Sequence, residues 1–186
     1  IITVGVPLVT GVMCLAQEII VLLASSKFLP AKTSLIILAP IILLIGLSNL
    51  FGLQVLVAKG KEKFVLRSVL AGTIVSIMTN FVLIPFFFHN GAAIATLLAE
   101  LFVTLLTGHF AFKEINIDFM WKQFVVTIIV CLPVILLHAI LSSYGLIISL
   151  VGTTAIFVIY YLGIQIFIIK TDLWVENFQK FKKKIL

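Results

Sequence analysis

Six apolar stretches, at roughly residues 3–24, 35–57, 65–88, 92–112, 123–141 and 145–169, leave this chain few ways to fold. The hydrocarbon core of a bilayer is about 30 Å thick, and a helix rising about 1.5 Å per residue needs about 20 residues to cross it. Transmembrane β-strands would alternate polar and apolar positions in segments of about ten residues. The run from Gly145 to Ile169, GLIISLVGTTAIFVIYYLGIQIFII, is instead apolar on every face. The expected fold is therefore all-α, a polytopic transmembrane helix bundle of about six spans. Composition supports the choice of solvent: 62% of residues are hydrophobic and 11% charged, against about half and a quarter in a soluble domain. The segments between spans are too short for a separate soluble domain. The chain divides into a bundle over 1–170 and a basic, amphipathic tail over 171–186. It opens at Ile1 with no initiator Met and no signal-peptide pattern, which reads as the later part of a longer protein.

Basic residues near span ends are retained on the cytoplasmic side. Of the 13 Lys and Arg residues, Lys59, Lys61, Lys63, Arg67, Lys113, Lys122, Lys170, Lys180, Lys182, Lys183 and Lys184 fall on one side of a six-pass alternation. Only Lys27 and Lys32 fall on the other. Both ends of the chain are thus expected in the cytoplasm, with the 25–34, 89–91 and 142–144 turns outside. In the tail, Leu173, Trp174, Phe178, Phe181 and Ile185 interleave with lysines, the pattern of a short helix lying in the inner interface. A net charge of +6 carried beside apolar runs points to anionic lipid headgroups, not nucleic acid.

A charge at mid-membrane costs about 2.5 to 3.5 kcal/mol on insertion scales, so each needs a reason to be there. Two carboxylates lie away from span ends, Glu18 and Glu100. Glu100 falls near the middle of the fourth stretch, with Ala93, Thr96, Thr104 and Thr107 at helical spacing on the same face. Similar stripes read Gly11, Cys14, Glu18 and Ser25; Ser48, Asn49 and Gly52; Thr73, Ser76 and Asn80; Thr127, Cys131 and His138; Thr154, Tyr161 and Gln165. Ser, Thr and Gly members also suit plain packing seams between membrane helices. Glu100 does not, because no Lys or Arg lies deep in a span to neutralise it, and it calls for a hydrated or substrate-lined cavity. Glu18, nearer the outer end, could instead reach Lys27 or interfacial water. Pro7, Pro40, Pro85 and Pro133 each remove a helical hydrogen bond and favour kinks.

His89, His109 and His138 are isolated, and no spacing of His, Cys, Asp or Glu matches a metal site. Cys14 and Cys131 behave as small hydrophobes within apolar runs. Nucleotide-binding loops and a serine nucleophile elbow are absent as well. The chain thus reads as a non-enzymatic unit without a cofactor. A membrane-embedded polyprenyl transferase would need a facing acidic pair, and the 113–122 loop offers only Glu114 and Asp118, flanked by Lys113 and Lys122.

From about residue 5 to residue 112 the order of features resembles the C-terminal part of the polysaccharide flippases in the multidrug/oligosaccharidyl-lipid/polysaccharide exporter superfamily. The likeness rests on Pro7 to Gly11 followed by Gln17-Glu18-Ile19-Ile20-Val21-Leu22-Leu23, and on Gly52-Leu53-Gln54-Val55-Leu56 running to Gly60-Lys61-Glu62-Lys63. It rests further on Asn80 to Leu83-Ile84-Pro85, and most specifically on Gly91-Ala92-Ala93-Ile94-Ala95-Thr96 with Ala99-Glu100. Ala24-Ser25-Ser26 departs from the family, which often has a Gly there. The resemblance implies one bundle of a two-bundle transporter in the bacterial cytoplasmic membrane. It would flip undecaprenyl-diphosphate-linked oligosaccharide units by alternating access, together with an N-terminal half of the same chain. Glu100, Glu18, Asn80, Thr96, Asn49 and Gln54 are then the candidates for the transport cavity and for coupling to a proton or sodium ion. Cationic groups for the diphosphate would have to come from the other bundle. A drug/cation antiporter or a peptidoglycan-precursor flippase of the same fold is the alternative.

Overall fold

In the computed structural model, which describes residues 1–115 and 121–165, the described residues are helical apart from short connections and hold no strand. The helices are α1 (Ile2–Cys14), α2 (Ala16–Ala24), α3 (Ala31–Leu38), α4 (Ile41–Asn49), α5 (Glu62–Phe112), α6 (Trp121–Leu141) and α7 (Leu146–Ile164), with a π-helical segment, Leu50–Val57, continuing α4. Two units form, Ile1–Thr127 and Ile128–Leu186. The tail over 171–186 and the end of the sixth stretch lie outside the described residues.

The distribution of residue types is the reverse of a water-soluble bundle. Phe81, Phe86, Leu136, Ile147 and Ile159 are exposed, Phe81 at 85%. The buried positions of α5 are Ser68, Gly72, Gly91, Ala93, Ala95, Thr104, Thr107, Gly108 and Ala111. Small residues inside and large apolar ones outside are what helices need when lipid is the solvent and close backbone approach holds them together. The helices over 31–57, 62–112, 124–144 and 146–164 are long and apolar enough to cross a bilayer, and the bent pair α1 and α2 makes a fifth crossing if taken together. This is a membrane protein.

Helix α5 has 51 residues, which would extend about 75 Å if straight, more than twice the hydrocarbon core. It is not straight. Phe88 stands at φ 50 and ψ −128, and the chain folds back there into two antiparallel arms. Gly72 lies against Val103 and Ala99, and Gly91 against the backbone of Leu83 and Ile84, pairs roughly equidistant from Phe88. Each arm is then of membrane-spanning length; counting both gives five crossings, and six where the bent α1–α2 pair is taken as one. The reversal pivots at Phe88 with almost no loop, so His89, Asn90 and Gly91, expected as the turn, already belong to the second arm.

The expected first span over 3–24 is instead broken, since α1 and α2 meet at Leu15 with a bend of 67°. Pro7 sits inside α1 and does not break it. Pro40 separates α3 from α4 and Pro85 precedes the reversal, whereas α6 runs through Pro133 without a break. Ser25, which ends α2, holds φ 85 and ψ 161. That conformation is essentially open to glycine alone and costs other residues about 1–3 kcal/mol. It gives a physical reason for a glycine at this turn. Ser25→Gly is expected to raise the thermal midpoint in detergent by a few degrees, about 1 kcal/mol after the added chain entropy, whereas Ser25→Ala should not; equal midpoints for the two variants would show the turn to be unstrained.

In the first unit α1 packs on α4, through Gly5 against Leu43 and Gly46 against Ile1. The second arm of α5 packs on α4 and the π segment, where Gly108 meets the Phe51 ring and the Thr104 hydroxyl donates to the Leu44 carbonyl at 3.1 Å. Phe51, Val55, Leu56 and Ala111 form the apolar core there, flanked by Phe64, Val65 and Phe110. Beyond it the chain is basic. The Lys59 ammonium donates to the Glu114 carbonyl, Lys61 pairs with the Glu114 carboxylate at 2.5 Å, and the Arg67 guanidinium lies 5.7 Å from the Phe64 ring centroid. The lysines hold the Glu114 carboxyl below the usual carboxylate range, chiefly through the Lys61 hydrogen bond. Lys27 and Lys32 sit at the opposite end of this unit, beyond α2 and at the start of α3.

In the second unit α7 turns a buried face made of Ser149, Thr153, Phe157 and Tyr161. Thr154, expected on that face, is exposed and returns its hydroxyl to the Leu150 carbonyl. Gly152 fits against Leu141, Ser149 lies 3.5 Å from His138 Nδ1, and the buried Gln165 amide donates to the Tyr161 hydroxyl at 2.8 Å.

Candidate functional site

Glu100 lies twelve residues past the Phe88 reversal, close to midway along the second arm of α5, and is half-buried. Its backbone carbonyl accepts a hydrogen bond from Thr104 at 2.8 Å, but its carboxylate has no hydrogen-bond or ion-pair partner among the described residues. The stripe expected around it divides in two. Thr104 and Thr107 are buried at the seam and spend their hydroxyls on backbone carbonyls, which is the packing role small polar residues play in membrane helices. Thr96, one turn nearer the reversal, is exposed and faces open space.

That space is a cavity of about 500 Å³ at the Lys27 end of the unit. Lys27, Phe28, Pro30 and Ala31 line it from the α2–α3 connection and the start of α3, with Ser34 and Leu38 further along; His89, Ala92, Ala93 and Thr96 line it from α5. The two sides are tied together at the rim, where the Ser34 hydroxyl donates to Asn90 Oδ1 at 2.7 Å and His89 Nε2 stands 3.4 Å from the Pro30 carbonyl. Glu100 is one helical turn below Thr96, about 6 Å along the axis, and is not itself part of the lining.

The other candidates do not join this group. Glu18 is buried, 6% exposed, in the first turn of α2. The break at Leu15 creates a helix start there, where a carboxylate is favoured by the N-terminal end of the helix dipole, so its burial has a local cause that a continuous span would not supply. Asn80 lines a separate hollow with Ile77, Phe81, Ile84 and Pro85 on the first arm of α5, and its amide is already committed to Ser76 at 2.8 Å. Asn49 and Gln54 are exposed, Asn49 at the end of α4 and Gln54 in the π segment. Glu114 is held by Lys61, and Asp118, its expected acidic neighbour, lies outside the described residues.

Lys27, Ser34 and His89 were not among the sequence candidates. The sequence signal for Lys27 was its place against the prevailing charge asymmetry; for His89 and Ser34 there was none, since their meeting depends on the reversal at Phe88. No three or more His, Cys, Asp or Glu residues among those described gather as metal ligands would. No protein-family model, no curated protein and no solved structure matches the chain.

Proposed function

We propose that the chain is one bundle of a transporter that flips undecaprenyl-diphosphate-linked oligosaccharide units from the inner to the outer leaflet of a bacterial cytoplasmic membrane. Transport proceeds by alternating access, with no covalent chemistry, and both chain ends face the cytoplasm. The reading is supported above all by Glu100, a half-buried carboxylate midway along a membrane-length helix, one turn beneath a polar position that opens on a cavity. An ionisable group at such depth needs a wet path or a titrating role, and a coupling ion, proton or sodium, supplies one. The broken α1–α2 pair and the interruption at Pro40 give the bundle points at which a helix can bend.

One observation favours a second reading, a drug/cation antiporter of the same architecture: Glu100 makes no ion pair with a basic residue among those described, which suits a cationic cargo as well as a proton. Depleting the protein in its host separates the two. Flippase function is expected to leave lipid-linked repeat units trapped on the cytoplasmic leaflet, detected by their protection from an externally added glycan-cleaving enzyme. Unimpaired exposure of the repeat units, together with lost efflux of lipophilic cations, decides for the antiporter.

A further inference from the structure

The cavity between the α2–α3 connection and the second arm of α5 has a lining that selects its occupant. Lys27, the one ammonium group that lines it among the described residues, makes no hydrogen bond or ion pair with a described residue, and no acidic side chain among the described residues lines the space. His89, Ser34 and Thr96 add polar atoms around it, and the rest, Phe28, Pro30, Leu38 and the alanines, is apolar. Both α3 and the second arm of α5 start at this end, so the positive ends of two helix dipoles lie toward the same side as the lysine. An uncompensated cation above an apolar floor suits a molecule that is anionic at one end and greasy at the other.

We propose that this cavity binds the phosphate of a single anionic lipid headgroup, with Lys27 as the charge partner and the lipid chains running down the apolar exterior of the bundle. Phe86, Phe87 and Phe88, all exposed, precede His89 at the same end and offer that exterior. A lipid is favoured over free phosphate because a fully hydrated anion gains nothing from the apolar wall, whereas a headgroup arrives at this depth with its chains already in the hydrocarbon. A net-anionic headgroup is favoured over a zwitterionic one because no carboxylate among the described residues lines the cavity to receive a choline or ethanolamine. The proposal rests on the chain being a membrane protein and not on what it transports.

The test uses the purified full chain in a neutral detergent, titrated with short-chain phosphatidylglycerol and followed by native mass spectrometry. One retained lipid per chain is expected, with affinity falling about fivefold or more in Lys27→Gln, the effect of removing one basic residue from an anionic lipid. Thr96→Leu, which fills the floor without altering charge, should weaken retention as well. Lys61→Gln, at the opposite end of the unit, should not. Short-chain phosphatidylcholine should bind more weakly, and inorganic phosphate at matched concentration should not displace the lipid. Equal retention by Lys27→Gln and Lys61→Gln, an unaffected Thr96→Leu, or equal binding of the two lipids overturns the site. Displacement by inorganic phosphate overturns the choice of a lipid.

Discussion

Gly91→Ala is expected to deprive this chain of most of its folded fraction, although the change adds one methyl group. A Cβ at position 91 would stand 2.3 Å from the Leu83 carbonyl oxygen, 2.6 Å from its carbon and 3.0 Å from the Ile84 nitrogen. Carbon contacts are comfortable at about 3.5–4.0 Å, and every obstacle here is backbone, so no rotamer change relieves it. The two arms of α5 would have to separate next to the reversal, where Phe88 already holds an unusual conformation. Overpacking costs about 1–3 kcal/mol where side chains can yield, and this site lies at or above the top of that range. Gly72→Ala is the matched control. Its Cβ would meet Val103 Cγ2 at 2.2 Å, the tip of a rotatable side chain, while the nearest backbone atom, the Ala99 carbonyl oxygen, is 3.4 Å away. Thermal unfolding in detergent, with size-exclusion recovery as the readout, should rank wild type above Gly72→Ala and Gly72→Ala well above Gly91→Ala. Equal recovery of both variants would show that the arms do not approach as closely as described.

The same glycine shows how far sequence reasoning reaches. Apolar length marks the helical segments because hydropathy and the bilayer thickness act on each stretch locally. Gly91 could be read as part of a turn, and a turn is indeed close by. The use made of it, close backbone approach three residues after the pivot, depends on the partner arm. Pro7 invited a kink and the bend came at Leu15, where no residue type announces it, because the packing of α1 on α4 and of α2 on α3 fixes the angle. On α7 the adjacent Thr153 and Thr154 are only about 100° apart around the helix, and the choice between them was made by the neighbours of that face. The Lys61–Glu114 pair joins residues 53 apart, and no local pattern predicts it. The candidate site follows this division. Glu100 was legible because a charge in an apolar run is anomalous by itself, whereas Lys27, Ser34 and His89 became a group only through the fold-back of α5.

On the proposed transport function, Glu100→Gln is expected to lower transport at least about tenfold, to remove its pH dependence, and to leave the protein as stable as before or more so. The opposite signs make the experiment decisive. A carboxylate at this depth costs about 2.5–3.5 kcal/mol when charged, and nothing among the described residues pairs with it to offset that cost. Glutamine keeps the shape and the hydrogen-bonding atoms while deleting the charge, so a purely structural Glu100 gives no reason for a functional loss. Thr104 would still donate to the backbone carbonyl of residue 100, because that bond does not involve the side chain. A site kept at the expense of stability is the signature of a residue retained for what it does. Flipping of a fluorescent lipid-linked sugar into proteoliposomes, measured across a pH series with thermal midpoints on the same preparations, reads both quantities. Transport and pH profile unchanged in Glu100→Gln would remove the carboxylate from the mechanism, and a falling midpoint would mean that the charge serves folding through a partner of its own.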